Sequence, residues 1–199
     1  MEKYYIEYSV KGKNFTSNKL STEHFTVEKS ECGNRTVLNL HANEPIAIQR
    51  FQIILPYSFK NENRIFVNGY QSWTDSREYF IDEKMSELSR FAEFYVKTPI
   101  MQKIGVGKSG DYFICKYPRK QGVFYGWSYG YVRTGNKIDL FGSLSERCGF
   151  TIVRFDVGNQ QVILEKELQG VTFTGETLIA DYARITAEYD EAFDTYFDL

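Results

Sequence analysis

Asp75 and Glu78, on either side of Arg77 and just after Trp73, are the carboxylates in this sequence best placed to do chemistry. A glycosidase works with two carboxylates flanking the scissile bond, about 5 Å apart or, for inversion, somewhat further. With 26 acidic residues in the chain, spacing alone selects no such pair. An ion-paired loop around Arg77 accounts for these two more simply.

Other patterns imitate known chemistry. Gly105-Val106-Gly107-Lys108-Ser109-Gly110 satisfies G-x-G-x-x-G, but a dinucleotide site needs a following helix whose amides face a pyrophosphate. Here Asp111-Tyr112-Phe113-Ile114-Cys115 follows, which reads as a strand, and a P-loop would need glycine where Gln102 stands. A glycine-rich hairpin turn is expected instead. Gly126-Trp127-Ser128-Tyr129-Gly130 fits the nucleophile elbow G-x-S-x-G, which requires a strand-to-helix turn and a histidine later in the chain. The only histidines, His24 and His41, precede it, and Ser128 falls inside an alternating strand. Neither histidine has a ligand partner at i+4 or a neighbouring cysteine or carboxylate pair, so no metal and no cofactor is expected. Cys32, Cys115 and Cys148 are odd in number and lack C-x-x-C spacing. That argues against a disulfide framework and a zinc site, and predicts reduced, buried thiols. No catalytic residue is assigned.

What stands out is a strand with a loop. Arg64-Ile65-Phe66-Val67 reads as a strand that stops at Asn68-Gly69, because Asn and Gly tolerate the positive φ of a tight reversal. Tyr70, Gln71 and Trp73 follow, two amphipathic rings and an amide at the end of a sheet, placed to meet a neighbour. The run Asn68-Gly69-Tyr70-Gln71-Ser72-Trp73, with Ser76-Arg77-Glu78 after it, resembles the N-terminal β-sandwich of the family thirty-six glycoside hydrolases, the α-galactosidases or melibiases. By order and spacing the likeness covers the whole chain, with 182–199 similar to the lead-in to the family's catalytic (β/α)8 barrel.

The resemblance implies a non-catalytic role. In the family the nucleophile and acid/base aspartates lie on the barrel, and this chain stops at Leu199 before any barrel. The implied partners are that barrel, whose pocket mouth the domain shapes, and further copies of the parent enzyme in a homo-oligomer. The implied substrate of the parent is an α-galactoside of melibiose or raffinose type. Asn68, Gly69, Tyr70, Gln71, Trp73 and Arg77 are assigned to the binding or interface surface. The alternative is a free-standing carbohydrate-binding β-sandwich module, for which Trp73, Trp127 and Tyr129 would be exposed rings. A self-sufficient enzyme on the same scaffold is disfavoured by the failed motifs.

The elements that must position these residues are mostly strands. Residues 4–10 are aromatic and β-branched, and Val27, Val37, Leu38 and Leu40 suggest two more short strands between polar turn clusters at 11–17 and 31–34. In 46–55, alternation would put Ala47, Phe51, Ile53 and Leu55 on one face and Ile46, Ile48 and Ile54 on the other; Pro56 stops the run. Met85, Leu88, Phe91, Ala92 and Tyr95 recur at helical spacing, predicting a helix over 83–96 with Pro99 just beyond it. From 101 to 173 strands are expected at 112–117, 123–132, 138–144, 150–155, 162–164 and 171–173. Within 123–132, Val123, Tyr125, Trp127, Tyr129 and Tyr131 would form a row of rings on one face, and core or inter-domain packing explains such a row better than sugar stacking. A last helix over 188–197 has carboxylates at its start, favourable to the helix dipole.

The fold class expected is therefore all-β: a large antiparallel β-sandwich, of the supersandwich kind, with one or two short helices and a single domain over 1–199. Apolar content of 42% and aromatic content of 17% are enough for a packed core. A formal net charge of −2 without a basic cluster excludes a nucleic-acid surface. No window approaches the roughly 20 apolar residues of a membrane span, and no leader pattern opens the chain. The reading is cytoplasmic, which makes the sequons at Asn14 and Asn34 chance matches.

Overall fold

A computed structural model describes residues 1–69, 75–85, 98–103 and 120–199. They form eleven strands and two short helices: β1 Lys3–Val10, β2 Lys13–Ser17, β3 Phe25–Cys32, β4 Arg35–Pro56, β5 Arg64–Val67, β6 Arg77–Phe80, α1 Pro99–Lys103, β7 Val123–Trp127, β8 Tyr129–Thr134, β9 Lys137–Ser143, β10 Phe150–Asp156, β11 Gln161–Glu188 and α2 Tyr189–Phe197. The fold is all-β and antiparallel, and it is not closed into a barrel. Among the described residues no helix is long and apolar enough to cross a membrane.

The frame is the pair β4 and β11, of 22 and 28 residues, which run side by side from Gln161 opposite Pro56 to Ala183 opposite Arg35. Each serves two layers. The C-terminal part of β4 carries β1 and the N-terminal part of β11 carries β10, giving the order β2-β1-β4-β11-β10-β7. The other ends carry β3 and β9, giving β3-β4-β11-β9-β8-β5-β6. Ile6, Phe51, Val153 and Phe155 of the first layer share one core with Phe25, Leu38, Ile65 and Phe141 of the second, which makes the fold sandwich-like. Phe141 meets Phe155 edge-on at 6.1 Å across the gap.

How β4 keeps one face inward along its length corrects the expected alternation in 46–55. Leu38, Leu40, Ala42, Ile46 and Ile48 are buried at even positions, Phe51, Ile53 and Leu55 at odd ones, all in the same core. The switch lies at Gln49, which has no partner on β1: Glu7 faces Arg50 and Tyr8 faces Ile48. β11 slips in step, between Glu167 and Val171. One extra residue reverses the parity of every side chain beyond it, so a bulge restores burial where strict period 2 would have lost it.

Other expectations are corrected by the same kind of local detail. The polar clusters at 11–17 and 31–34 are mostly strand: Val10 pairs with Lys13 and Cys32 with Arg35, leaving only two-residue turns. Lys11 and Gly12 both take positive φ, as a tight hairpin of matching twist requires. The segments expected at 162–164 and 171–173 are parts of β11, which runs on through Glu188 to α2. Residues 83–85 of the expected 83–96 helix are not helical, and 86–97 lie outside the described residues, as does the strand expected at 112–117. Pro99 opens α1, a position where its missing N–H costs nothing. α2 matches the expected 188–197 helix to within one residue, with Asp190 and Glu191 in its first turn. It lies on the outer face of the second layer, where Ala192 is buried among Tyr131, Ile138, Leu140, Ala183 and Ile185.

Candidate functional site

β5 ends at Val67 as expected, and the loop that follows is tied down at both feet. Asn68 is bound to the last residue of β7: Trp127 N–H donates to the Asn68 carbonyl at 2.8 Å, and the Asn68 side-chain amide donates to the Trp127 carbonyl at 3.2 Å. Gly69 N–H donates to Ser76 Oγ at 2.9 Å and closes the loop on itself. Val67 then pairs with Arg77, where β6 begins. Of the residues assigned to this surface, Asn68, Gly69 and Arg77 are therefore brought together, whereas Tyr70, Gln71 and Trp73 lie outside the described residues.

The charged residues of the loop are ion-paired, Arg77 with Glu83 and, at a longer distance, with its expected partner Asp75, while Glu78 pairs across the sheet with Arg133. Arg77 donates to Glu83 Oε2 at 2.9 Å and to the Glu78 carbonyl at 3.1 Å, and its guanidinium lies 3.7 Å from the centre of the Tyr79 ring. Its distance to Asp75 is 4.0 Å. Glu78 turns away to β8, where it takes Arg133 Nε at 2.6 Å, Arg133 Nη2, and the Tyr131 hydroxyl at 3.0 Å. The Arg133 guanidinium holds the Glu78 carboxyl below the usual range, against the pull of partial burial. Burial also opposes charge on Glu83, but the Phe80 N–H and Arg77 together keep its carboxyl low. Burial first, then Glu78, pushes the Tyr131 phenol far above its ordinary value. Both carboxylates are thus engaged as charged acceptors.

Ser128 divides the strand expected over 123–132. Its φ of 61° takes the chain from β7 in the first layer to β8 in the second. The backbone there is stitched to both layers, Ser128 N–H donating to the Thr151 carbonyl at 2.9 Å and Ser143 N–H to the Ser128 carbonyl at 2.7 Å. The row of rings is split as a result. Tyr125 and Trp127 belong to the central core, Trp127 being only 5% exposed, while Tyr131 joins the outer cluster under α2. Tyr129 is half-buried, near-parallel to Phe66 at 6.0 Å and edge-on to Phe193 at 5.8 Å. Trp127 is thereby removed as an exposed sugar platform.

Beside this end lies a group that sequence reasoning missed. Lys166 is buried, and its ammonium is surrounded by the Ser145 carbonyl, Glu146 Oε2 at 3.0 Å and the Gly149 carbonyl at 3.2 Å, so that residues 145–149 wrap around it. Thr151 donates its hydroxyl proton to one partner, with Ser143 Oγ and Glu146 Oε2 both at 2.9 Å. The Tyr196 hydroxyl of α2 donates to the Ser143 carbonyl at 2.5 Å, and burial pushes its pKa up to about 12. The signal was present in the sequence: a lysine at an inward position of the apolar run VILEKEL.

Elsewhere the sequence candidates are plain. His24 meets Glu44 at 2.9 Å beside the rings of Tyr8 and Phe15, and His41 is exposed. Cys32 is exposed, contrary to the buried thiol expected, because it ends β3 at a turn; Cys148 is half-buried, and Cys115 lies outside the described residues. Among the described residues no group of three or more His, Cys, Asp or Glu could hold a metal ion. Models of known protein families and curated proteins contain no match to this chain.

Proposed function

We propose that this chain is a non-catalytic accessory domain of an α-galactosidase-like glycoside hydrolase, and that the loop between β5 and β6 docks on the catalytic (β/α)8 barrel. The observation that carries this reading is the mooring of that loop. Asn68, Gly69, Ser76, Arg77 and Glu78, which belong to the motif of the resemblance, are each used to fix the loop at the end of an all-β sandwich. Feet already fixed in the isolated chain need no further ordering on binding, which suits a permanent contact between domains. The pairing of Glu78 with Arg133 and of Arg77 with Glu83 supports a structural use of these charges over a catalytic one.

The test is to mix the chain with a family thirty-six barrel produced without its own N-terminal domain and follow complex formation by analytical ultracentrifugation. A one-to-one complex that is weakened by Trp73→Ala is the expected result. Absence of a complex, together with saturable quenching of tryptophan fluorescence by galactose or melibiose, would replace this reading with the free-standing carbohydrate-binding module.

A further inference from the structure

Among the described residues β6 pairs only with β5, through four residue pairs, yet it carries the exit foot of the loop. These four pairs and the Tyr79 ring, buried in the central core against Phe124, are its first hold. A second hold crosses the sheet. Glu78, Phe66 and Tyr131 are aligned on neighbouring strands β6, β5 and β8. The Glu78 carboxylate spans β5 to reach the Tyr131 hydroxyl and the Arg133 guanidinium, and beside this bridge Phe66 lies flat on Tyr131, with centroids 4.9 Å apart and planes 9° from parallel.

We propose that the pair of Glu78 and Arg133 is a pH-released strap that holds edge strand β6, and with it the clasp between Gly69 and Ser76, in place. This deepens the docking reading and rests on it for what holding the two feet serves. Arg64 on β5, Arg133 and Tyr131 on β8 and Tyr189 on α2 are the titratable groups that bear on Glu78 or its partners, and Glu188, Asp190 and Glu191 line the same cleft as Arg133. Glu78 is the group whose charge makes the bridge. Because its carboxyl is depressed in the folded chain, the strap is complete above the ordinary carboxylate range and is lost as pH falls through the folded value.

Residue-resolved amide exchange on the whole chain tests this. At neutral pH, Glu78→Gln and Arg133→Gln should each raise exchange at Gly69 and at 76–80 about fivefold, the scale of a charge-assisted hydrogen bond after solvent screening. Amides in β4 and β11 should not change. Wild-type protection at 76–80, corrected for intrinsic rates, should fall in acid towards that of Glu78→Gln. Unchanged exchange at 76–80 in both variants would overturn the strap. A rise spread equally over β4 and β11 would also overturn it, since the pair would then stabilise the fold as a whole. A loosened β6 in variants of a chain that itself forms no complex with the barrel would leave the strap standing and refute the docking reading.

Discussion

Gly126 lies directly against the backbone of Asn68: a β-carbon at position 126 would stand 2.6 Å from the Asn68 carbonyl oxygen and 2.7 Å from its nitrogen. Both of these neighbours are backbone atoms, so no side chain can swing aside to make room. Gly126→Ala should destabilise the chain by about 1 to 3 kcal/mol, the usual cost of overpacking, and should disturb the Asn68 foot of the loop first. Urea unfolding measures the first effect and the Asn68 and Trp127 amide shifts the second.

Trp127 and Trp73 should behave oppositely. Trp127 sits in the core with its ring edge-on to Phe150 at 5.2 Å, so Trp127→Ala should cost roughly 3 to 5 kcal/mol in the isolated chain. Trp73→Ala should cost less than about 1 kcal/mol there, and should weaken the proposed complex with a barrel by the few kcal/mol of an interface anchor. Equal costs of both substitutions in urea would refute the docking role of Trp73.

Removing the buried ammonium should cost more than a surface charge would. Lys166→Met leaves the Ser145 and Gly149 carbonyls and Glu146 without their shared donor, and a loss of about 2 to 3 kcal/mol is expected. Because Tyr196 is tied to Ser143, which is tied in turn to Thr151, the α2 amides should lose protection together with residues 145–149. Hydrogen exchange that changes only in 145–149 would show that the two are not coupled.

The stability contribution of Glu78 should depend on pH in one direction only. Its folded carboxyl is depressed, so its contribution is fully present above the unfolded value of about 4.3 and vanishes as pH drops through the folded value. The gap between wild type and Glu78→Gln, about 1 kcal/mol at pH 7 after screening, should close in acid and stay constant from pH 6 to 8. Chemical unfolding of both proteins across that range checks the sign.

The purified chain should release no nitrophenol from a nitrophenyl α-galactoside, since the acid and nucleophile of the resembled enzymes belong to the barrel. Turnover that survives further purification and disappears on substitution of a residue of this chain would contradict the accessory role.

The sequence by itself determined the class of the fold and the place of the loop. Aromatic and β-branched runs broken by turn residues specify strands locally, and β5 ends at Val67 just before Asn68-Gly69, although Asn68 does not take the positive φ expected of a tight reversal. The stripe of Ala192, Phe193, Tyr196 and Phe197 likewise marked α2, because a 3.6-residue period is a local property.

Tertiary structure alone decided the rest. The bulge at Gln49 and the positive φ at Ser128 each change which face the following residues present, and neither is required by the residue type at that position. They occur where the chain passes from one layer to the other, a demand set by strand partners distant in sequence, Glu167 and Val171 on β11 for the β4 bulge and Phe66 and Val67 on β5 beside Ser128. Pairing between distant segments also explains why Glu78 bonds Arg133, 55 residues on, in preference to its neighbour Arg77. Antiparallel pairing places β6 and β8 on either side of β5, and a long carboxylate on one face of a sheet reaches across the strand between more readily than it folds back on its own.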